Sequence, residues 1–315
     1  MHNVELGRSG LKVSAMGIGM WQAGGAAWGK DVGDEEYVKT LVRAKELGIN
    51  LVDTAEAYGY GHSEEVVGKA IKEIGRDQIV IATKVSGYHL RHDDVIRACE
   101  GSLKRLGVEE IDLYQIHWLE WSDLVPLKQA MKALEKLQVS GKIRAIGVSN
   151  FAVRDIQEAN SLLSRTSISS NMVQYSLIHR EIEEEVLPYC RKENITILAW
   201  SPLARGALTG KYSPENRPRD PAREDDVGRH IFSDSNLPLI MRLVSKLKEI
   251  GRARGKTPVQ VALNWLMRDV GVVPVPGAKR PEQVEENAGA VGWSLSSSEL
   301  HEIQRILEGL VLDHF

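Results

Sequence analysis

The 315-residue chain has few cysteines, little net charge and no long apolar run. Its two cysteines, Cys99 and Cys190, fit a reducing compartment and lack the spacing of zinc ligands. A net charge of −3 gives no electrostatic basis for binding nucleic acid or an anionic membrane. No apolar run approaches the roughly 20 residues of a membrane-spanning helix, and the first residues predict no secretory signal. We therefore expect a cytoplasmic protein, most simply a monomer, with no metal, nucleic-acid partner or membrane partner.

The sequence repeats one unit, which is a short apolar strand followed by a turn and an amphipathic helix. No Pro- or Ser-rich linker interrupts the repeat, so residues 1–315 are expected to form a single domain. The predicted strands are residues 15–19, 50–53, 79–84, 111–117, 143–148, 172–174, 195–200 and 272–275. The predicted helices follow at about 35–48, 63–74, 92–106, 126–140, 153–163, 180–192, 258–267 and 281–291.

Eight alternating strand and helix units indicate the α/β class, with a parallel sheet covered by helices. Closure into a (β/α)8 TIM barrel is the natural form at this length, since such barrels take about 250 residues. An open doubly wound sheet is the alternative. Its nucleotide-binding fingerprint is absent, because Gln22 stands where the third glycine of the nearest candidate should fall.

Three segments do not fit the repeat. Residues 4–13 have the pattern of a β-hairpin with a turn near Ser9-Gly10. Residues 205–236 are long, polar and rich in Pro, Asp and Arg, and a loop of this length is more often a functional lid than a plain connection. Extra helices are predicted at about 237–254 and 297–308, toward the C-terminus.

Four polar side chains lie at or just after the ends of three consecutive predicted strands: Asp53, Tyr58, Lys84 and His117. Singly, each has an ordinary explanation, such as a helix cap, an ion pair or a packed ring. Lys84 is the least ordinary, because a charge at the end of an apolar strand is costly unless it is paired, and Asp53 could pair with it. Since the carboxyl ends of parallel strands share one face, we expect all four to converge there.

These four residue types suit the reduction of a carbonyl group. Tyr58 would donate a proton to the oxygen, and the ammonium of Lys84, paired with Asp53, would lower the pKa of the phenol. His117 would hydrogen-bond the oxygen as a neutral donor. None of the four can deliver hydride, so the chemistry requires a nicotinamide cofactor.

Further stretches of the chain are specific enough to compare with known families. They include Leu6-Gly7-Arg8-Ser9-Gly10, Asp53-Thr54-Ala55-Glu56-Ala57-Tyr58-Gly59, Asp112-Leu113-Tyr114-Gln115-Ile116-His117, Gly147-Val148-Ser149-Asn150-Phe151, Trp200-Ser201-Pro202-Leu203 and Pro276-Gly277-Ala278-Lys279-Arg280-Pro281. From about residue 4 to 292 the chain resembles the aldo-keto reductases. The resemblance implies a (β/α)8 barrel with the N-terminal hairpin closing its bottom, and a catalytic tetrad of Asp53, Tyr58, Lys84 and His117.

The resemblance also implies contacts with NADP(H), with NAD(H) as the alternative cofactor. Ser149, Asn150 and Gln174 match positions that bind the nicotinamide carboxamide, and Trp200 matches the ring that stacks on it. The other implied cofactor contacts are Gly19, Met20, Trp21, Asp53, Ser201, Pro202, Leu203, Arg205, Gly206, Gly277, Ala278, Lys279, Arg280, Gln283, Glu286 and Asn287. Many family members have Lys-Ser where this chain has Gly277-Ala278, so Lys279 and Arg280 are the candidates for a 2′-phosphate.

The expected substrate is a small carbonyl compound, held by Trp21, Tyr58, Tyr88, His117 and Trp118, and aromatic walls suit apolar aldehydes and ketones. Trp121 is a further candidate. Two other functions stay open at this point. The chain could be a cofactor-binding regulatory subunit on the same scaffold, with little turnover. It could also be a barrel hydrolase, although that class needs paired acids or metal ligands and Asp53 is the one carboxylate found at a predicted strand end.

Overall fold

The computed structural model describes residues 1–29, 31–119 and 127–313. Within these ranges eight parallel strands form one sheet, in which each strand pairs with the next along the chain. After an N-terminal hairpin of β1 (Asn3–Glu5) and β2 (Lys12–Ser14), the sheet comprises β3 (Ile18–Gly19), β4 (Leu51–Asp53), β5 (Val80–Val85), β6 (Ile111–Ile116), β7 (Ile143–Ser149), β8 (Ile168–Gln174), β9 (Thr196–Trp200) and β10 (Val272–Pro274).

The sheet closes on itself through its first and last strands. The backbone N–H of Gly17 donates to the carbonyl of Pro274 at 2.9 Å, and that of Gly19 donates to Pro276 at 3.0 Å. A parallel bridge between Gly19 and Gly277 lies beside these bonds. The predicted (β/α)8 barrel is therefore confirmed, and so is the N-terminal hairpin.

Helices surround the barrel, and their apolar faces pack against it. Their bounds are α1 Asp34–Glu46, α2 His62–Ile74, α3 His92–Leu106, α4 Leu127–Val139, α5 Val153–Ser161, α6 Val186–Glu193, α7 Pro221–Glu224, α8 Asp226–Ile231, α9 Asn236–Arg254, α10 Pro258–Leu266, α11 Pro281–Ala288 and α12 Ser297–Glu308. In α3, for example, the buried Val95, Cys99 and Leu106 lie on one helical face, and Gly107 ends the helix with a φ of 68°. No helix in the described ranges is long and apolar enough to cross a membrane.

Several boundaries differ from the sequence prediction. Strand β3 begins at Ile18 rather than 15, and α11 ends at Ala288 rather than near 291. Strand β8 begins at Ile168 rather than 172, because the buried polar run Ser169-Ser170-Asn171 lacks strand-type residues and yet pairs with β7 and β9. Helix α6 begins at Val186 rather than near 180, as Pro188 is tolerated only in the first turn of a helix. Residues 205–236 are not one open loop, since they contain α7 and α8.

The hairpin packs into the bottom of the barrel. Its side chains Leu6, Leu11 and Val13 belong to the same buried cluster as Leu113 and Leu198 of the barrel interior. The backbone N–H of Gly7 donates to Oγ1 of Thr196, at the start of β9. The strands start at the bottom of the barrel, so the hairpin forms an apolar plug at that end. The carboxyl ends of the strands, at the opposite end, remain open for a functional site.

Gly7 offers a test of this plug. A Cβ atom at Gly7 would lie 2.3 Å from the carbonyl oxygen of Ser169, and the residue has a φ of +55°. We expect Gly7→Ala to lower the free energy of unfolding by about 2–4 kcal/mol, from left-handed strain plus a backbone clash. Urea denaturation would measure the loss.

The matched control is Gly10→Ala in the same hairpin. Gly10 also has a positive φ, +74°, but a Cβ there would meet nothing within 4 Å. Strain alone should cost about 1 kcal/mol. Equal losses in the two variants would contradict the close approach of the hairpin to β8.

Candidate active site

A cavity of about 670 Å³ lies at the carboxyl ends of the barrel strands. It brings together most of the residues singled out from the sequence. The predicted residues that line it are Gly19, Trp21, Asp53, Tyr58, Lys84, His117, Ser149, Asn150, Trp200, Ser201, Pro202, Leu203, Arg205, Gly206, Gly277, Ala278, Lys279, Gln283, Glu286 and Asn287. Those that do not line it are Met20, Gln174, Arg280, Tyr88 and Trp118.

Lys84, the fifth residue of β5, forms the centre of a buried polar cluster. Its Nζ donates to Oδ2 of Asp53 and to the carbonyl of Thr54, both at 2.8 Å, and to the hydroxyl of Tyr58 at 3.3 Å. Lys84 is 1% exposed and Asp53 is 2% exposed. Strands β4 and β5 are neighbours in the sheet, so the pairing follows directly from strand order.

Burial and charge act in opposite directions on these groups. For Lys84, burial disfavours the ammonium form, but Asp53 and Tyr58 outweigh it and the net pKa is raised. For Asp53, burial raises the pKa, and the ammonium of Lys84 opposes that rise. Lys84 is therefore a cation at neutral pH, held in a hydrogen-bonded ion pair.

Tyr58 differs from the sequence expectation in its ionisation. Lys84 does favour the phenolate, as predicted, but burial of the phenol is the larger effect and Asp53 adds to it, so the pKa of Tyr58 is raised above its ordinary value. The prediction of a lowered pKa is wrong for this structure. The consequence is that Tyr58 carries its proton throughout the neutral range.

The position of Tyr58 depends on two glycines. A Cβ at Gly59 would lie 2.2 Å from the carbonyl oxygen of Gly24, and one at Gly24 would lie 2.8 Å from the N of Gly59. This close approach presses the short 3-10 helix Trp21–Gly24 against the loop after β4. As a result Trp21 stacks on Tyr58, with ring centroids 6.1 Å apart.

His117 follows β6 and faces Tyr58, with ring centroids 5.5 Å apart in an edge arrangement. Burial, together with the charge of Lys84, lowers the pKa of His117 to about 2. The imidazole is therefore neutral at any physiological pH. Its Nδ1 is buried and has no hydrogen-bond partner among the described residues. A neutral imidazole can donate one N–H to a substrate oxygen, as the sequence predicted.

Beyond Tyr58 the cavity has a polar edge formed by β7 and β9. Oδ1 of Asn150 accepts a hydrogen bond of 3.0 Å from Nε1 of Trp200. The Ser149 hydroxyl donates to the carbonyl of Met172. Gln174 is half-buried near this edge, and its Nε2 has no partner among the described residues.

The far end of the cavity is basic. Lys279 lies here, and its Nζ donates to the carbonyl of Trp28 at 2.7 Å. Arg223, from α7, places its guanidinium 4.8 Å from the Trp28 ring and 5.6 Å from the Tyr212 ring. Arg280, by contrast, is exposed and outside the cavity.

Sequence reasoning missed several lining residues: Gln22, Trp28, Thr209, Lys211, Tyr212, Asp220 and Arg223. Most of them lie in the segment 205–236, whose length and charge were the available signal. The contact of this segment with Trp28 joins positions nearly 200 residues apart along the chain, so local patterns could not place it.

The substrate candidates divide into two groups. Trp21, Tyr58 and His117 line the cavity. Trp118 lies 4.5 Å from the His117 ring and 5.8 Å from Tyr88, which is 69% exposed. Trp121 lies outside the described residues. Among the described residues no group of three or more His, Cys, Asp or Glu could hold a metal ion.

A parallel barrel with a Tyr, a Lys, an Asp and a His at one mouth of its strands defines a reductase-type scaffold. The chain also matches the model of the Aldo/keto reductase family over residues 15–308. It is 36% identical to aldo-keto reductase YhdN of Bacillus subtilis, over 99% of this chain and 96% of that protein.

Two further comparisons bear on cofactor use. The chain is 30% identical to the NADH-specific methylglyoxal reductase of Escherichia coli, over 98% of this chain and 99% of that protein. A crystal structure of an aldo/keto reductase from Klebsiella pneumoniae in complex with NADP and acetate has a TM-score of 0.76 and 33% identity, covering 98% of this chain and 96% of that one. The chain belongs to the aldo/keto reductase family, which is a family of oxidoreductase enzymes.

The ionisation states predict an unusual pH profile. The roles predicted from the sequence for carbonyl reduction require a protonated Tyr58 and a neutral His117. Because the pKa of Tyr58 is raised above its ordinary value and that of His117 is lowered to about 2, neither group changes state across the neutral range. We expect kcat/KM for reduction, measured at saturating cofactor, to be flat between about pH 5 and 9.

His117→Gln is the control, because it removes the imidazole and keeps a hydrogen-bond donor. The variant should be slower and show the same flat profile. A wild-type inflection near the ordinary histidine pKa that disappears in His117→Gln would contradict the buried, neutral state of His117.

Proposed function

We propose that this protein reduces aldehydes and ketones to alcohols with NADPH, and that Tyr58 is the general acid. The observation that carries the proposal is the contact of 3.3 Å between the Tyr58 hydroxyl and Nζ of Lys84, beside a neutral His117 at the mouth of the cavity. A phenol that holds its proton at neutral pH, next to a fixed cation, can donate that proton and be stabilised afterwards as phenolate.

Each side chain has a separate role in the proton transfer. The N–H of His117 orients the carbonyl oxygen, and Tyr58 delivers the proton to that oxygen. Lys84 stabilises the phenolate that remains, and Asp53 keeps Lys84 charged and fixed. When bound, the nicotinamide cofactor supplies hydride to the carbonyl carbon, so the product is the alcohol.

The cavity has features that fit such a cofactor. At the tetrad end, Asn150 and Ser149 offer amide and hydroxyl groups, and Trp200 offers a flat ring. Further along, the buried Arg205 pairs with Asp225 through Nη1, while its Nε has no partner among the described residues and leaves a donor for a negatively charged group. The basic far end of the cavity would then bind the 2′-phosphate of NADPH.

We assign NADP(H) as the cofactor, with NAD(H) as the alternative, since named relatives use or bind one or the other. Lys279 supports this choice, because it lies in the cavity with Arg223 and Lys211 close enough to affect its pKa. Asp220 pairs with Arg223, but the three cations still exceed the carboxylates beside them, which favours a dianionic phosphate over a hydroxyl group. For the substrate, Trp21 and the neighbouring Trp118 favour apolar or aromatic carbonyl compounds.

Tyr58→Phe tests the general acid. We expect kcat with an aromatic aldehyde and NADPH to fall by about 10²–10⁴-fold, because the phenyl ring keeps the packing on Trp21 and has no proton to give. Cofactor oxidation measures turnover, and calorimetry should show unchanged NADPH binding.

Tyr60→Phe is the matched control, since Tyr60 lies two residues after Tyr58, is exposed and does not line the cavity. It should keep wild-type turnover. Comparable turnover by Tyr58→Phe would exclude Tyr58 as the acid. Tight NADPH binding by the wild type without turnover of any carbonyl compound would favour the regulatory alternative instead.

Lys279→Ala tests the basic end of the cavity. Loss of one charge-assisted hydrogen bond should weaken NADPH binding by about tenfold or more. NADH binding should change less, because NADH lacks the 2′-phosphate. Titration calorimetry with both cofactors gives the comparison.

Arg280→Ala is its control, because it removes an adjacent, exposed positive charge that does not line the cavity. It should change NADPH affinity only slightly at physiological ionic strength. If Lys279→Ala weakened NADPH and NADH equally, or if both variants bound NADPH as the wild type does, Lys279 would not be the 2′-phosphate residue.

A further inference from the structure

Among the described residues, only one of the two carboxylate oxygens of Asp53 has a hydrogen-bond partner. Lys84 donates to Oδ2, while Oδ1 is buried and has no partner among the described residues. Asp53 is 2% exposed, so Oδ1 has little access to hydrogen bonds from bulk water. A buried carboxylate oxygen without a donor is costly, and it weakens the charge on which Lys84 depends.

Gln115 lies beside Lys84 in the barrel interior. It is the residue of β6 that is in register with Lys84 of β5, and it is fully buried. Neither its Nε2 nor its Oε1 has a hydrogen-bond partner among the described residues. Strands β4, β5 and β6 are neighbours, so Asp53 and Gln115 lie on either side of Lys84, and each has a buried polar atom without a partner among the described residues. A hydrogen bond from Gln115 would lower the pKa of the Asp53 carboxyl group.

The barrel makes room for this side chain at Gly147. Gly147 of β7 is in register with Gln115, and a Cβ at Gly147 would lie 2.8 Å from Cγ of Gln115 and 3.0 Å from Cδ1 of Leu113. Gln115 and Leu113 thus point to the same, inner side of the barrel, as alternate residues of a strand must. The nearest atom to such a Cβ is Oγ of Ser170, at 2.6 Å, so a larger residue at position 147 would crowd Ser170 as well as Gln115.

We propose that Gln115 is a positioning residue for the reaction, whose amide N–H donates to Oδ1 of Asp53 and holds that carboxylate as an anion facing Lys84. A rotation of the terminal amide torsion, which is soft, brings the donor into line. The catalytic consequence of this hydrogen bond rests on the proposed function. The proposed hydrogen bond itself does not depend on that function.

Loss of the Gln115 hydrogen bond would affect catalysis through the titratable groups around Lys84. These groups are Asp53 on β4, Tyr58 in the loop after β4 and His117 after β6. Without the amide donor, the neutral form of Asp53 is favoured and its pKa rises. Lys84 then loses part of its counter-charge and stabilises the phenolate of Tyr58 less well. Proton donation by Tyr58 becomes harder, while binding of cofactor and substrate is unaffected.

Gln115→Met is the test, because methionine has a similar length and cannot donate a hydrogen bond. We expect kcat for reduction to fall by about tenfold or more, the value of one hydrogen bond to a charged group, with KM and cofactor affinity unchanged. The carboxyl pKa of Asp53, followed by ¹³C NMR in aspartate-labelled protein and assigned with Asp53→Asn, should rise by about one unit.

Leu113→Met is the matched control, since it places the same side chain two residues earlier on the same inner face. It should leave kcat and the Asp53 pKa as in the wild type. An unchanged Asp53 pKa in Gln115→Met would overturn the inference, and so would an equal loss of kcat in both methionine variants.

The NMR measurement separates the two hypotheses, because it needs no turnover. If the wild type reduced no carbonyl compound and Gln115→Met still raised the Asp53 pKa, the proposed function would fail and the Gln115–Asp53 contact would stand. Normal wild-type turnover with an unchanged Asp53 pKa would instead support the reductase and overturn the contact.

Discussion

The arrangement of side chains at the carboxyl ends of the barrel strands depends on the ion pair between Lys84 and Asp53. Both groups are buried, so neither would be stable as an ion without the other. The pair requires β4 and β5 to be adjacent and in the observed register. The carbonyl of Thr54 is a second hydrogen-bond acceptor for Lys84. The Tyr58 hydroxyl lies beside a cation that is already fixed, so the proton transfer proposed for it would need little reorganisation.

The two ends of the barrel differ in composition: one is packed with apolar side chains, and the other holds the polar cavity. At the bottom, Leu6, Leu11 and Val13 of the hairpin fill the interior with apolar side chains, which excludes water from below. Strand β5 connects the two ends: its first residue, Val80, belongs to the apolar cluster, and Lys84 lies four residues further up the strand. The low polarity beneath the tetrad is what strengthens its charge interactions, and it also raises the pKa of Tyr58 against the influence of Lys84.

Much of this architecture could be predicted from the sequence, because strand ends and helix periods are local patterns. The positions of Asp53, Lys84 and His117 at consecutive strand ends sufficed to predict their convergence. The net pKa of Tyr58 could not be predicted, since it depends on how deeply the ring is buried. Nor could the role of Arg223, because its contacts with Trp28 and Tyr212 join distant segments. Strand β8 was predicted too short, since its polar start is stabilised by its two neighbours rather than by its own residues.

The basic end of the cavity is arranged so that an anion would relieve an electrostatic cost. Burial and the nearby guanidinium of Arg223 lower the pKa of Lys279, although Asp220 and Asp31 act in the other direction. The ammonium form of Lys279 is thus less stable in this environment than in water, despite its bond to the Trp28 carbonyl. A phosphate beside Lys279 and Arg223 would reverse that balance, because it adds negative charge where positive charges crowd. Phosphate binding should therefore return the pKa of Lys279 toward or above its ordinary value, and the energy of that shift would appear as affinity for the phosphorylated cofactor.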